Sequence, residues 1–263
     1  MVSILVDYGA ALGMVRHPRY KKRFLWLSIG TNLGILGTFK YLDFFIESIG
    51  HILQSLGLGE GPAVLGLLLP VGISFFTFQS MSYTIDVYRG KLKARTSLID
   101  VATYVALFPQ LVAGPIERAR NLLPQLERPR VFDWNRFGAG FGLMIWGLVQ
   151  KICIADTLGL YVDRVYTMDE PNMALLVAGT FGFMMQILAD FSGYTDIARG
   201  VAKMMGFELM ENFHFPYGSA SPSDMWKRWH ISLSSWIHEY LYIPLGGNRR
   251  GPRRAAAAAC ISL

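Results

Sequence analysis

The sequence predicts an all-α, polytopic membrane helical bundle, and three observations carry that prediction. Of the 263 residues 52% are hydrophobic and only 17% charged, too little polar surface to coat a water-soluble globule of this size. Apolar stretches approach or exceed the ~20 residues with which a helix crosses a bilayer. The basic residues behind the formal net charge of +6 gather at the ends of those stretches. That placement suits an anionic membrane surface, and no nucleic-acid-binding motif accompanies it. Cys153 and Cys260 sit in apolar surroundings and are expected to be small buried hydrophobes, neither a disulfide nor a thiolate metal site.

Taken in order, residues 1–14 are short and apolar and lead into the basic knot His17-Pro18-Arg19-Tyr20-Lys21-Lys22-Arg23. The positive-inside rule assigns that knot to the cytoplasm. The stretch is not read as a cleavable signal, because it has neither a continuous apolar core nor a small-residue cleavage pattern. A first span is expected over 24–49. Lys40 inside it would cost on the order of 2.5–3.5 kcal/mol at mid-bilayer, so it is expected to snorkel to the far end beside Tyr41. Residues 51–62 read as an outer loop.

A second span is expected over 63–87, broken in its middle by Pro70 and Gly72. Ser74, Thr77, Gln79, Ser80, Ser82 and Thr84 load it with hydrogen-bonding groups, which must face protein or a water-filled cavity. Over 98–116 a crossing would put the arginines of 118–130 on the wrong side. With Pro109, Gly114 and Pro115 to break the chain, a re-entrant hairpin resolves the conflict. A third span over 137–154, an outer segment over 155–173 and a returning span over 174–197 follow. Gln186, Asp190, Ser192, Tyr194, Thr195 and Asp196 accumulate in the last of these. An interfacial helix end and an inward-facing polar face are both open readings there.

The densest stretch runs from Ser221 to Asn248. Ser221 as N-cap, Pro222 at the first position and Asp224 in the first turn predict a helix over 222–243, stopped by Pro244 and Gly246-Gly247. On one continuous helix Trp226, Trp229, Leu233, Trp236, Ile237 and Tyr240 share a face. His230 lies at its margin, and His238 lies with Lys227 on the polar side. Two readings of His230 stay open from pattern alone: a core histidine bonded to a neighbour, or a partly desolvated imidazole of lowered pKa that acts as a base near neutral pH. His214, His230 and His238 lack metal-ligand spacing and acidic company. No G-x-S-x-G elbow offers a serine nucleophile. Asn248, Arg249 and Arg250, set among glycines, read either as a phosphate-binding loop or as a basic membrane-edge loop.

WKRWHISLSSWIHEYLYIPLGGNRRG resembles the signature of the membrane-bound O-acyltransferase family, in its alginate O-acetylation type. PVGISFFTFQSMSYTIDVYRG, LFPQLVAGPIER and DFSGYTDIARGVAKMMGFELMENFHFPY match as well, so the resemblance covers about 39–251. It implies a funnel of spanning, re-entrant and interfacial helices. It implies acyl transfer, acetyl first and D-alanyl second, from a cytoplasmic donor such as acetyl-coenzyme A or an acyl carrier toward an extracytoplasmic polysaccharide. No resident cofactor is implied. His230 becomes the candidate catalytic residue, with Trp226, Arg228, Trp229, Ser232, Ser234, Asp190, Tyr194 and Gln79 supporting or positioning it. The implied partners are the lipid bilayer of a bacterial cytoplasmic membrane and an extracytoplasmic acetyltransferase. A transporter or channel component is the competing class, favoured by the broken helices but not by any internal repeat. The Leu-Trp-His-Gly type motif of the family does not occur. Residues 255–263 read as the start of a further span, so the chain is expected to be a fragment, inactive alone.

Overall fold

The computed structural model describes residues 1–59, 62–111 and 114–250, the side chains of 249 and 250 excepted. Among the described residues every regular element is helical, and the chain divides into two compact units. The first comprises residues 1–106 and 118–123, the second 107–117 and the chain from 124 onward. The further span expected over 255–263, and Cys260 with it, lie outside the described residues.

In the first unit α1 (Val2–Arg16), α2 (Lys21–Ser55) and α3 (Ile73–Tyr88) pack on one another, and α4 (Leu98–Val105) packs on α1. Ser97 caps α4 by accepting from the Asp100 amide at 3.3 Å, a regular capping geometry. The break expected at Pro70 and Gly72 is real, but it is a beginning and not a kink. Residues 63–70 form no helix, and α3 starts after Gly72 in the left-handed conformation (φ 74°). A helical span over 63–87 is therefore corrected to 73–88. The polar load of α3 is turned inward: Thr77, Gln79, Ser80, Ser82, Thr84 and Asp86 are all buried. α2 outruns its expected end at 49, and the Lys40 ammonium sits 5.3 Å from the Tyr41 ring centroid.

α5 (Ala119–Glu127) carries the chain from the first unit into the second. There α6 (Trp134–Leu148), a π-helical stretch (Val149–Asp156) and α7 (Thr157–Tyr166) form one continuous helix of 33 residues, which α8 (Met173–Met204) answers in the opposite direction. Both are long and apolar enough to cross a membrane. Helix continues to Tyr166 where an outer segment was expected from 155, and Cys153, expected buried, is exposed on it. Asp133 and Asn172 cap the two helices.

The backbones of α6 and α8 touch. A Cβ added at Gly140 or Gly200 would lie 2.7 or 2.6 Å from the other's carbonyl oxygen, and one at Gly147 or Gly193 2.6 or 2.8 Å from the other's. Each pair is spaced by seven residues, so the four glycines form an antiparallel seam of the small-residue type by which apolar helices associate in lipid.

Gly114 lies against Gln110, where a Cβ would fall 2.3 Å from the Gln110 Cα. The single helix expected over 222–243 is in fact two, α9 (Pro222–Arg228) and α10 (Ile231–Ile237), the latter running into a π-helical turn (His238–Tyr242). Between them His230 adopts φ 42°, ψ 54°, a left-handed conformation that ends any right-handed helix. The shared face computed across 226–240 is corrected accordingly. Trp226 is exposed whereas Trp236 and Tyr240 are buried.

Candidate active site around His230

A non-glycine residue in the left-handed region costs roughly 1–2 kcal/mol, so the His230 conformation persists only if its neighbours fix it. They do so through the segment that leaves α8. His214 N–H donates to the Arg228 carbonyl at 3.0 Å, and Ile231 N–H donates to the Asn212 carbonyl at 2.9 Å. The first N–H groups of a helix need acceptors from outside it. His230, at the N-cap of α10, makes no side-chain cap, and Asn212 supplies one from a distant segment: its Oδ1 accepts from Ser232 N–H at 3.3 Å. The Asn212 amide also donates to Thr195 Oγ1 on α8 at 3.3 Å, and the Thr195 hydroxyl donates to the Phe191 carbonyl at 3.0 Å. Ser232 Oγ in turn accepts from Ile116 N–H at 3.0 Å. Asn212, Thr195 and Ser232 are each almost wholly buried, where such bonds are costly to lose.

The imidazole is packed among rings. Phe191 meets it edge-on at 4.8 Å between centroids, and Phe213 stacks along it at 6.3 Å with a 19° tilt. Trp229 packs edge-on against Phe213 at 5.1 Å. Burial among these apolar groups lowers the His230 pKa to about 4, so the ring is neutral at physiological pH. It lines a cavity of about 790 Å³ together with Trp226, Lys227, Trp229, Ser234 and Ile237.

Phe213 also lines a second cavity of about 460 Å³ between α6, the π-helical stretch and α8. A polar chain runs through that cavity's wall. Ser192 donates to the Gln150 side-chain Oε1, the Gln150 Nε2 donates to Asp196 at 2.9 Å, and Arg199 pairs with Asp196 at 3.1 Å and with Glu211 at 3.9 Å. Ser192 and Asp196 thus face protein, whereas Asp190 and Tyr194, the two residues of this stretch expected to point inward, are exposed.

The residues expected around His230 are only partly brought to it. Trp229 and Ser234 share its cavity, and the Ser234 hydroxyl donates to the Trp229 carbonyl at 3.2 Å. Ser232 is buried and ties the start of α10 to Ile116. Arg228 is paired with Asp224 at 2.9 Å on its own helix. Asp190 pairs with Lys151 at 2.6 Å, Tyr194 is exposed, and neither reaches the imidazole; the α8 residue that does is Phe191. Gln79 belongs to the first unit, where it donates to the Tyr104 carbonyl at 2.7 Å. Asn248 accepts from the Tyr242 hydroxyl at 2.6 Å, and the Arg249 and Arg250 side chains lie outside the described residues. Phe191, Asn212 and Phe213 were not singled out from sequence. Asn212 between two charged or aromatic neighbours carries no local signal of capping a helix that begins 19 residues later.

A family profile described as MBOAT, membrane-bound O-acyltransferase family, matches residues 76–261. A probable alginate O-acetylase of Pseudomonas putida is 45% identical over 230 residues, 88% of this chain and 47% of that protein. A peptidoglycan O-acetyltransferase of Helicobacter pylori is 35% identical over 94% of this chain and 51% of its own. A teichoic acid D-alanyltransferase of Bacillus subtilis is 28% identical over 66% of this chain and 45% of its own. The chain spans about half the length of the curated relatives it matches.

Proposed function

Because the chain belongs to the membrane-bound O-acyltransferase family, we propose that it forms the donor-side core of a multi-pass enzyme of the bacterial cytoplasmic membrane. That enzyme moves an acetyl group from a cytoplasmic thioester toward an extracytoplasmic polysaccharide. Acetyl is favoured over D-alanyl because the acetyl-transferring relatives are the more similar. Acetyl-coenzyme A or an acyl carrier is the donor, and an extracytoplasmic acetyltransferase completes delivery to the polymer.

The observation that carries this reading is a neutral imidazole fixed in the wall of a large cavity. In such a transfer the acceptor oxygen bonds to the acyl carbon, its proton leaves, and the carbon–sulfur bond breaks with a proton going to the sulfur. A ring of pKa about 4 is a poor proton acceptor near neutral pH, where general bases work best with matched pKa values. It is a good neutral hydrogen-bonding group, able to orient an acyl carbonyl or an acceptor hydroxyl. We therefore give His230 the role of aligning donor and acceptor. The rings around it exclude water that would hydrolyse the thioester.

The test uses the full-length protein in membranes with polysaccharide-bound acetyl ester as the readout. His230→Ala is expected to lower transfer by roughly 10²-fold, the cost of one oriented hydrogen-bonding group. His230→Gln, which keeps a donor and an acceptor, is expected to recover part of it. Equal transfer by wild type and His230→Ala would remove this imidazole from the reaction.

A further inference from the structure

The first unit encloses a carboxyl group that no part of the acyl-transfer reading uses. Asp7 on α1 is fully buried, and around it lie Ser28 and Asn32 on α2 and Ser80 and Thr84 on α3, each 3% exposed or less. Ser28 Oγ is 2.5 Å from Asp7 Oδ1 and 2.8 Å from Thr84 Oγ1. Ser80 Oγ bonds Asp7 Oδ2, and Thr84 Oγ1 lies 3.1 Å from the Met81 carbonyl. The Asn32 amide nitrogen donates to both Asp7 oxygens, at 2.9 and 3.0 Å, and to the Ser28 carbonyl at 3.0 Å. Among the described residues no cation pairs with Asp7.

Counting hydrogens points to a protonated carboxyl. The cluster has four oxygen–oxygen contacts: Asp7 with Ser28, Asp7 with Ser80, Ser28 with Thr84, and Thr84 with the Met81 carbonyl. Each needs one hydrogen between its oxygens, and a carbonyl brings none. The three hydroxyls of Ser28, Ser80 and Thr84 supply three. A charged Asp7 leaves one contact empty. A protonated Asp7 fills all four, in the order Asp7 to Ser28, Ser28 to Thr84, Thr84 to Met81, with Ser80 donating to the other carboxyl oxygen. Among the described residues no group of three or more His, Cys, Asp or Glu side chains gathers that could hold a metal ion.

We propose that Asp7, with Ser28, Asn32, Ser80 and Thr84, is a proton-binding site. It keeps its proton in the folded protein at pH values where an ordinary aspartate has lost it, and so joins α1, α2 and α3 through one continuous chain of hydrogen bonds. The other titratable or charged groups on these elements are Arg16 and Tyr8 on α1, Lys21, Lys22, Arg23 and the groups from Lys40 onward at the two ends of α2, Tyr83, Asp86 and Tyr88 on α3, Arg89, Lys91, Lys93 and Arg95 behind α3, and Asp100 and Tyr104 on α4. Between Arg23 and Lys40, α2 carries none. Tyr83 is spent on the Arg95 amide, Asp86 on Arg120 and Tyr104 on Ser82. Burial also acts in the same sense on the carboxyl, raising its pKa against the three side chains that bond it.

The experiment is infrared difference titration of the full-length protein in nanodiscs, reading the carbonyl stretch of protonated carboxyl groups. A band that persists above the ordinary aspartate value and vanishes in Asp7→Asn supports the site. Carboxylate bands alone in that range overturn it. Thr84→Val supplies an independent arm if Asp7→Asn does not fold. Without the Thr84 hydroxyl, two contacts remain for two hydroxyl hydrogens, so a charged Asp7 is satisfied and the titration midpoint is expected to fall by roughly one pH unit, the worth of one buried hydrogen bond. An unmoved midpoint in Thr84→Val overturns the proposal.

Discussion

Asp7 and His230 are both ionisable groups taken out of water, and both lose their charge, yet by opposite surroundings. Asp7 lies in a nest of hydroxyls and an amide contributed by three helices. His230 lies between phenylalanine rings at a backbone break. The acid is neutral because it gains a proton that the hydroxyl chain can use. The imidazole is neutral because burial takes the charged form out of water. Burial thus sets the sign of each shift, while the neighbours decide whether the neutral group is locked in a chain of bonds or offered to a cavity.

Each site is also organised by one fully buried asparagine, Asn32 in the first unit and Asn212 in the second, and replacing them is the strongest way to sharpen the contrast. Asn32→Leu strips every amide bond from the Asp7 carboxyl and is expected to destabilise the full-length protein by about 3 kcal/mol, read as a lowered Tm with activity retained in the folded fraction. Asn212→Leu removes the remote cap of α10 and the bond to Thr195 but leaves the Asn212 carbonyl on Ile231. Its stability cost is smaller, about 1–2 kcal/mol, but acetyl transfer should fall more steeply than Tm, because His230 loses its fixed orientation. Equal ratios of lost activity to lost stability in the two variants would erase the distinction between a locked site and an offered one.

A smaller effect separates the sites by pH. Asp7 titrates above its ordinary value, so its contribution to stability is present below the unfolded-state value of 3.8 and is lost as pH rises through the folded-state value. His230 titrates below its ordinary value, so its contribution is present above 6.5 and is lost as pH falls through about 4. The two slopes oppose each other as pH rises from about 4, until Asp7 has lost its proton in the folded protein. Wild-type Tm should therefore change little there, Asp7→Asn should show Tm rising with pH, and His230→Asn should show it falling. Asparagine is chosen for the second because it tolerates the left-handed conformation. Parallel curves for the two variants would refute the assignment of opposite signs.

How much of this was legible in the sequence follows from the range of the interactions. The starts of the two long helices, expected at 137 and 174 from the apolar runs, fall at 134 and 173, whereas their ends, expected at 154 and 197, fall at 166 and 204. Their glycine seam was present in the spacing of Gly140 with Gly147 and Gly193 with Gly200, and only the pairing was needed to see it. The inward load of α3 was likewise readable, because hydroxyl and amide groups in an apolar helix must find partners. The break at His230 was not. The caps and first-turn residues of Ser221, Pro222 and Asp224 predict a helix and do produce α9, but what stops it is a set of bonds from Asn212 and Ile116, the latter 116 residues away from Ser232. Asn32 sits in the span expected over 24–49, where one polar residue gives no sign that a carboxyl 25 residues earlier will be its partner.

The finest test asks whether burial or ring contact holds His230 neutral. Phe213→Leu keeps an apolar neighbour of similar bulk and removes the stacked ring. Phe213→Ser opens the imidazole to the cavity that Phe213 lines. If burial is the cause, Leu leaves the pKa near 4, whereas Ser raises it toward 6.5, by on the order of one unit for a partly rehydrated ring. Nitrogen chemical shifts of labelled histidine across a pH series read the value directly, and the transfer assay gives a second reading. A raised pKa means that more of the ring is protonated near pH 6, where a cation cannot accept a hydrogen bond from the acceptor hydroxyl, so the acid side of the activity profile should move upward in Phe213→Ser and stay in place in Phe213→Leu. Equal upward movement in both variants would assign the neutrality to the aromatic face itself, and the contrast with Asp7 would then lie in ring contact and not in desolvation.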